Sequence, residues 1–158
     1  MNIQIKRWFL PLLVGGFALA WLASLQAAEV VISDAFVREM PPGAVSSAAY
    51  LTLKNTTDRG VVLKAVQADR AAQVMIHQTA QHGDMLRMRH VSQVEIAAHS
   101  EVVFSPGGYH LMIMGLSKPL QRGEEITLTF QFTDGRSIKM VVPVVAGAGS
   151  MMPMDMVP

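Results

Sequence analysis

The chain has 158 residues, of which 51% are hydrophobic and 16% are charged, a balance that suits one folded domain. Its formal net charge is +1 and its aromatic content is 6%, so it lacks the basic and stacking surface expected of a nucleic-acid-binding protein. It contains 12 methionines and no cysteine. Disulfides, thiolate metal sites and thiol nucleophiles are therefore excluded.

The N-terminal segment predicts export. Lys6 and Arg7 precede an apolar run from Trp8 to Leu25, and small residues follow at Ala27 and Ala28. We expect residues 1–28 to form a signal peptide that is cleaved after Ala27 or Ala28, which places the mature domain outside the cytoplasm. Because the apolar run is almost long enough to span a membrane as a helix, an uncleaved membrane anchor is the alternative.

Short extended segments with turns between them recur from residue 30 onward, and none carries a helical apolar stripe. The clearest strand lies near the end of the chain, where apolar and polar residues alternate over 126–132, and Asp134-Gly135 then predicts a hairpin turn. The predicted strand segments are 30–32 with 35–37, 46–54, 61–66, 74–80, 85–91, 107–116, 126–132 and 138–145. This pattern predicts an all-β domain over residues 29–146, either an antiparallel sandwich or a small barrel, followed by a flexible tail over 147–158.

The segment 107–116 combines a histidine with methionines at alternate positions. On a strand, His110, Met112 and Met114 share one face, while Leu111 and Ile113 fill the other. One face is apolar and the other could bind a soft cation. The alternative is an ordinary buried strand in which methionine fills space and histidine is a hydrogen-bonded core residue.

The segments 74–80 and 85–91 predict a second part of the same site. A four-residue connection over 81–84 would form a hairpin that puts His77 directly opposite Met88. In that register Met75 faces His90 on the same side of the hairpin. An imidazole and a thioether would then meet across one pair of strands.

Two histidines with two methionines favour Cu(I), because thioethers select this soft ion and imidazole binds copper in either oxidation state. Zinc sites depend on cysteine, histidine and carboxylate, and calcium or magnesium sites depend on oxygen, so neither explains the methionines. A blue-copper electron carrier would need a thiolate, which this chain lacks.

The spacing of these four residues resembles that of a known family. The pattern is His77, ten residues, Met88, twenty-one residues, His110, one residue and Met112. Together with the run 107–116, it resembles the periplasmic copper chaperones of the PCu(A)C family, and the similarity extends from Val31 through the last predicted hairpin.

The resemblance implies a cupredoxin-like β-sandwich of Greek-key type that binds Cu(I) through these four side chains. It also implies a monomeric periplasmic chaperone that delivers copper to a haem-copper oxidase, at the binuclear site of cytochrome c oxidase subunit II. A Sco-type thiol protein is a possible further partner.

The other sulfur and imidazole side chains are assigned minor roles. Met75 and His90 fall outside the family spacing, and Met114 is expected to pack in the core. Met85 is expected at the end of the hairpin, and His82 and His99 in solvated loops.

The tail is a candidate auxiliary copper site, because several thioethers on a flexible segment can wrap a soft ion. Its candidate ligands are Met151, Met152, Met154 and Met156. Terminal disorder without copper binding is the alternative for this segment.

Three rival functions remain at this point. A secreted β-sandwich binding module would use these methionines as core, and a copper-tolerance protein would sequester periplasmic copper. An enzyme is not expected, because the chain has no nucleophile elbow, zinc-protease motif or phosphate loop.

Overall fold

A computed structural model describes residues 29–82 and 85–146, apart from the side chains of residues 81 and 82. The predicted signal peptide, residues 1–28, and the predicted tail, residues 147–158, lie outside the described residues. Within the described ranges, no helix has the length and apolar character needed to cross a membrane.

Ten strands account for most of this part of the chain, and the all-β prediction is confirmed. The strands are β1 Val30–Arg38, β2 Ser46–Asn55, β3 Val61–Ala68, β4 Ala71–His82, β5 Met85–Val91, β6 Val94–Ile96, β7 Glu101–Phe104, β8 Tyr109–Leu116, β9 Glu125–Phe132 and β10 Ser137–Val145. Each predicted segment corresponds to one of them. The sequence analysis missed β6 and β7, because three or four residues are too few to display a recognisable alternation.

The strands form two layers around a single core, as the sandwich prediction requires. One layer has the order β5-β4-β8-β2-β1. Strand β2 pairs with β8 over residues 46–49 and with β7 over residues 51–54. The other layer has the order β10-β9-β3-β6. Most neighbours are antiparallel, but β1 pairs with β10 and β7 pairs with β8 in parallel. The short β1–β10 pairing connects the two layers.

Alternation along the strands separates the core from the outer face. Leu111 and Ile113 on β8 are fully buried, as predicted, and so is Leu128 on β9. The side chains that alternate with these two on β8 therefore point away from the core; they belong to His110, Met112 and Met114. This leaves one face of β8 free to carry polar and sulfur-bearing side chains.

A glycine allows β8 to lie close to β4. Gly115 has φ of +66°, and a Cβ atom at this position would lie 2.7 Å from the Cβ of Ala72. Any other residue would combine a left-handed backbone with a steric clash. The two strands that carry most of the candidate site can therefore approach closely at this end.

Candidate metal centre

The pairing of β4 with β8 brings together three of the four predicted ligands. His77 lies directly opposite His110, and Met75 lies opposite Met112, in the adjacent row of the same pairing. The imidazole rings of His77 and His110 have centroids 5.7 Å apart and meet edge to face. Nitrogen and sulfur donors thus occupy neighbouring rows on the outer face of the sheet.

The predicted register of the β4–β5 hairpin is wrong by two residues. The strands pair His82 with Met85, so two residues connect them instead of four. The sequence at the connection is Gly-Asp, a dipeptide that suits two-residue hairpin turns. The prediction assumed a connection two residues longer than the observed one. It therefore paired each β4 residue with a β5 residue that lies two positions too early in the chain.

In the observed register, Met88 lies opposite Thr79 and diagonal to His77. A two-residue shift leaves every side chain on its original face, because strands repeat every two residues. Met88 still reaches His77, with its Sδ atom 3.3 Å from the Nδ1 atom of the imidazole. The other predicted pair does not form, since Met75 faces Met112 and His90 faces His77.

The separation of the His77 and Met88 donor atoms suits a shared metal ion. With a nitrogen distance of about 2.0 Å and a sulfur distance of about 2.3 Å, donors 3.3 Å apart subtend roughly 100° at the metal. That angle is close to the tetrahedral value. One small ion could therefore contact both atoms with little movement of either strand.

The four candidate ligands differ in their exposure to solvent. His110 is 6% exposed, His77 and Met112 are half-buried, and Met88 is 55% exposed. Two of them are thus held by the interior strand β8, while Met88 lies on β5 at the edge of the layer. The site has an inner side and an outer side.

The backbone orients the His110 ring. Its Nδ1 atom lies 3.3 Å from the carbonyl oxygen of Gly108, which can only accept a hydrogen bond. Nδ1 must therefore carry the proton in the neutral ring, which leaves the lone pair on Nε2 free. Such a hydrogen bond on the far nitrogen is a common way of fixing the orientation of a metal-binding histidine.

The pKa of His77 is lowered below the ordinary value for histidine. Burial contributes most, because it disfavours the charged form, and the positive charges that His110 and His90 can carry add to the effect. At neutral pH His77 is thus an uncharged imidazole. This is the form that can bind a metal ion.

The β2–β8 pairing ends at Ala49, opposite Leu111, and Tyr50 is the next residue of β2, on the outer face. Tyr50 is buried, and its ring centroid lies 5.3 Å from that of Phe36 on β1. The sequence predicts Tyr50 on a strand, but the sequence analysis did not assign it to the site. Its alternation with Ala49 and Leu51 was nevertheless a sufficient signal that it shares the face of the candidate ligands.

The remaining predicted assignments have mixed outcomes. Met114 is 39% exposed and lies opposite Gln73, so the prediction that it packs in the core is wrong. The reason is that Met114 shares the outer face with Met112.

Met85 begins β5 as predicted, and His99 lies in an exposed loop where its Nε2 is 2.8 Å from Asp58. His82 ends β4 and does not lie in a loop.

The candidate ligands of the tail lie outside the described residues.

Comparison with known proteins agrees with this fold. Residues 30–144 match the family described as "Putative lipoprotein LpqE-like". The chain belongs to the LpqE-like family. It is 32% identical over 120 residues to "Putative lipoprotein Lxx21020" of Leifsonia xyli, an alignment that covers 75% of this chain and 71% of the relative. The resemblance to PCu(A)C proteins inferred from the sequence is confirmed.

Two solved structures extend this comparison of the LpqE-like chain. The solution structure of CuI-DR1885 from Deinococcus radiodurans matches with a TM-score of 0.65 and 33% identity, covering 82% of this chain and 87% of that one. The copper-bound PCuAC domain from PmoF2 matches with a TM-score of 0.65, 21% identity, and coverage of 76% and 96%. The latter match concerns the fold alone, and together they confirm the cupredoxin-like sandwich.

The electrostatics of His77 can be tested without metal. Its pKa, followed by NMR of the imidazole resonances, should lie below the ordinary 6.5, and replacing His90 with Gln should raise it by removing one nearby charge. The unfolded chain binds this proton more readily than the folded one. The stabilising contribution of neutral His77 is therefore complete above about pH 6.5 and is lost as the pH falls below that value.

The matched control is His99→Gln, which removes an exposed imidazole that lies in the loop between β6 and β7. It should leave the His77 midpoint unchanged. A His77 midpoint at or above 6.5 in the parent would contradict the proposed electrostatic environment.

Proposed function

We propose that this LpqE-like chain is a carrier of Cu(I) and binds one ion through His77, Met88, His110 and Met112. The contact of 3.3 Å between His77 Nδ1 and Met88 Sδ carries the proposal, because it joins donors from two strands on the face that also holds His110 and Met112. Nothing in a β-sandwich core requires two histidines and two methionines to share one outer face.

The donor set supports monovalent copper. Two thioethers and two neutral imidazoles bring no negative charge, and thioethers prefer Cu(I) over harder ions. The lowered pKa of His77 supports the same assignment, since protons then compete less with the metal near neutral pH. A protein 33% identical to this chain was solved in its Cu(I) form.

The graded exposure supports a carrier that can release its ion. The inner ligands His110 and Met112 lie on β8, whereas Met88 lies on the edge strand and is open to solvent. An incoming thiolate or imidazole could approach the ion from the exposed side and displace its ligands one at a time. Stepwise exchange of this kind does not require the domain to unfold.

The proposed location and delivery target rest on the resemblance to the PCu(A)C family. We infer that the chain is exported through its N-terminal segment and works in the periplasm, which agrees with the name "Putative lipoprotein" of a relative. The acceptor is the binuclear copper site of cytochrome c oxidase subunit II, or a related oxidase site, with a Sco-type thiol protein as a further partner. Its role is that of a chaperone and not of an enzyme.

The binding site can be tested by removing sulfur without changing side-chain volume greatly. Replacing both Met88 and Met112 with Leu should leave the fold intact while lowering Cu(I) affinity by on the order of 100-fold or more. Affinity is measured anaerobically by competition with a colorimetric Cu(I) chelator, and folding by urea unfolding.

The control removes two other exposed sulfurs. Replacing Met85 and Met114 with Leu makes the same chemical change on β5 and β8, outside the proposed ligand set. This variant should keep the parental affinity. Equal losses in both double variants, or none in the first, would place the copper site elsewhere.

Delivery can be tested with purified proteins. The Cu(I)-loaded chain should transfer its ion to the soluble domain of oxidase subunit II, whose binuclear centre has a characteristic absorption, and the Met88→Leu, Met112→Leu variant should transfer little. If the parent binds Cu(I) tightly but delivers none to subunit II, with or without a Sco-type protein, the copper-tolerance alternative replaces the delivery proposal.

We propose that the methionine-rich tail collects additional Cu(I). Four thioethers on a tail that the sequence predicts to be flexible would have an effective concentration on the order of millimolar at the surface of the domain. Truncation after Val145 should preserve the one-ion site and folding, because Val145 retains its pairing with Arg38. Total Cu(I) capacity and the rate of loading at low copper should fall. Parental capacity and rate in the truncated chain would leave the tail without a role in copper binding.

A further inference from the structure

We propose that His90 forms, with His77 and Met88, a second, outer copper-binding set through which the ion leaves the domain. This inference rests on the proposed function, because it concerns the exit of an ion held by the four ligands named above. His90 lies outside the family spacing, and it enters the site only because β4 and β5 pair in the observed register.

The three histidines lie in a transverse row across three strands. His77 on β4 is central, with the His110 ring 5.7 Å away on one side and the His90 ring 6.0 Å away on the other. A metal about 2.0 Å from an imidazole nitrogen lies about 3.1 Å from the ring centroid, so two rings can share an ion up to about 6.2 Å apart. Both neighbouring pairs fall within this limit.

Three histidines in a row across the strands do not form a single three-histidine metal site. Among the described residues, no three His, Cys, Asp or Glu side chains are grouped around a common point. An ion can therefore use His77 with His110, or His77 with His90, but not all three rings together. Two overlapping ligand sets result, and they share His77 and Met88.

The two sets differ in access to solvent. The inner set adds His110, which is buried, and Met112, which is half-buried. The outer set adds His90, which is exposed on β5, and β5 is the last strand on its side of the layer. Moving from the inner to the outer set brings the ion to the edge of the domain, where a partner's ligands can reach it.

The exchange keeps the ion bound throughout. His110 dissociates while His77, Met88 and Met112 hold the ion, and His90 then binds as Met112 leaves. The copper stays monovalent, because the exchange of imidazole and thioether ligands transfers no electrons. Four ligands in the inner set against three in the outer set favour the inner set at equilibrium, so the outer set acts mainly in transfer.

The experiment separates affinity from the rate of release. The parent, His90→Ala, His90→Met and the control His99→Ala are each loaded anaerobically with one equivalent of Cu(I) and mixed with excess bicinchoninate, and transfer is followed by absorbance. His90→Ala should keep an equilibrium affinity within about threefold of the parent but release copper at least about fivefold more slowly. His90→Met supplies a thioether at the same position and should restore most of the rate.

The possible results are distinct. Release from His90→Ala at the parental rate or faster would overturn the exit role of His90. A loss of affinity as large as that caused by His77→Ala would also overturn it, because His90 would then belong to the main site. A slower release shared by His99→Ala would trace the effect to the loss of any histidine. If the parent itself binds no Cu(I), the proposed function fails, and the outer set fails with it.

Discussion

The pairing of β4 with β8 is the interaction on which the candidate site depends. It sets His77 against His110 and Met75 against Met112 on the outer face, while Ile76 and Leu111 pack in the core behind them. A slip of one residue would turn the imidazoles into the core and the aliphatic side chains into solvent. The burial of apolar surface that stabilises the sandwich therefore also keeps the donor side chains on the outer face.

Alternation in the sequence was enough to predict eight of the ten strands and the shared face of His77 and Met88 and of His110 and Met112, because a half-buried strand must repeat every two residues. It could not predict the β4–β5 register, which depends on how many residues the connection uses. The predicted contact between Met88 and His77 is still made because the register error was two residues, which leaves both side chains on the same face. The prediction for Met114 was wrong for a different reason. It relied on the apolar character of methionine, which suits a core, although the alternation along β8 puts Met114 on the outer face with Met112.

Preorganisation explains why the inner side of the site differs from the outer side. His110 is buried and the carbonyl of Gly108 orients its ring, so less conformational entropy remains to be lost when its Nε2 atom binds an ion. Met88 has a flexible side chain on an exposed strand and must be ordered each time it binds. In the proposed copper site, the inner side would thus contribute affinity and the outer side reversibility.

An edge strand with exposed apolar residues carries a risk of pairing with other chains. β5 exposes Leu86 and Met88 on the face of the candidate site, but its opposite face bears Arg87 and Arg89. The Arg89 guanidinium also donates hydrogen bonds of 2.6 and 3.1 Å to the side chain of Gln78 on β4. These charges oppose edge-to-edge association while leaving the sulfur face uncovered. The edge position of β5 can therefore be tolerated, and it is the position that a partner must reach to take an ion from Met88.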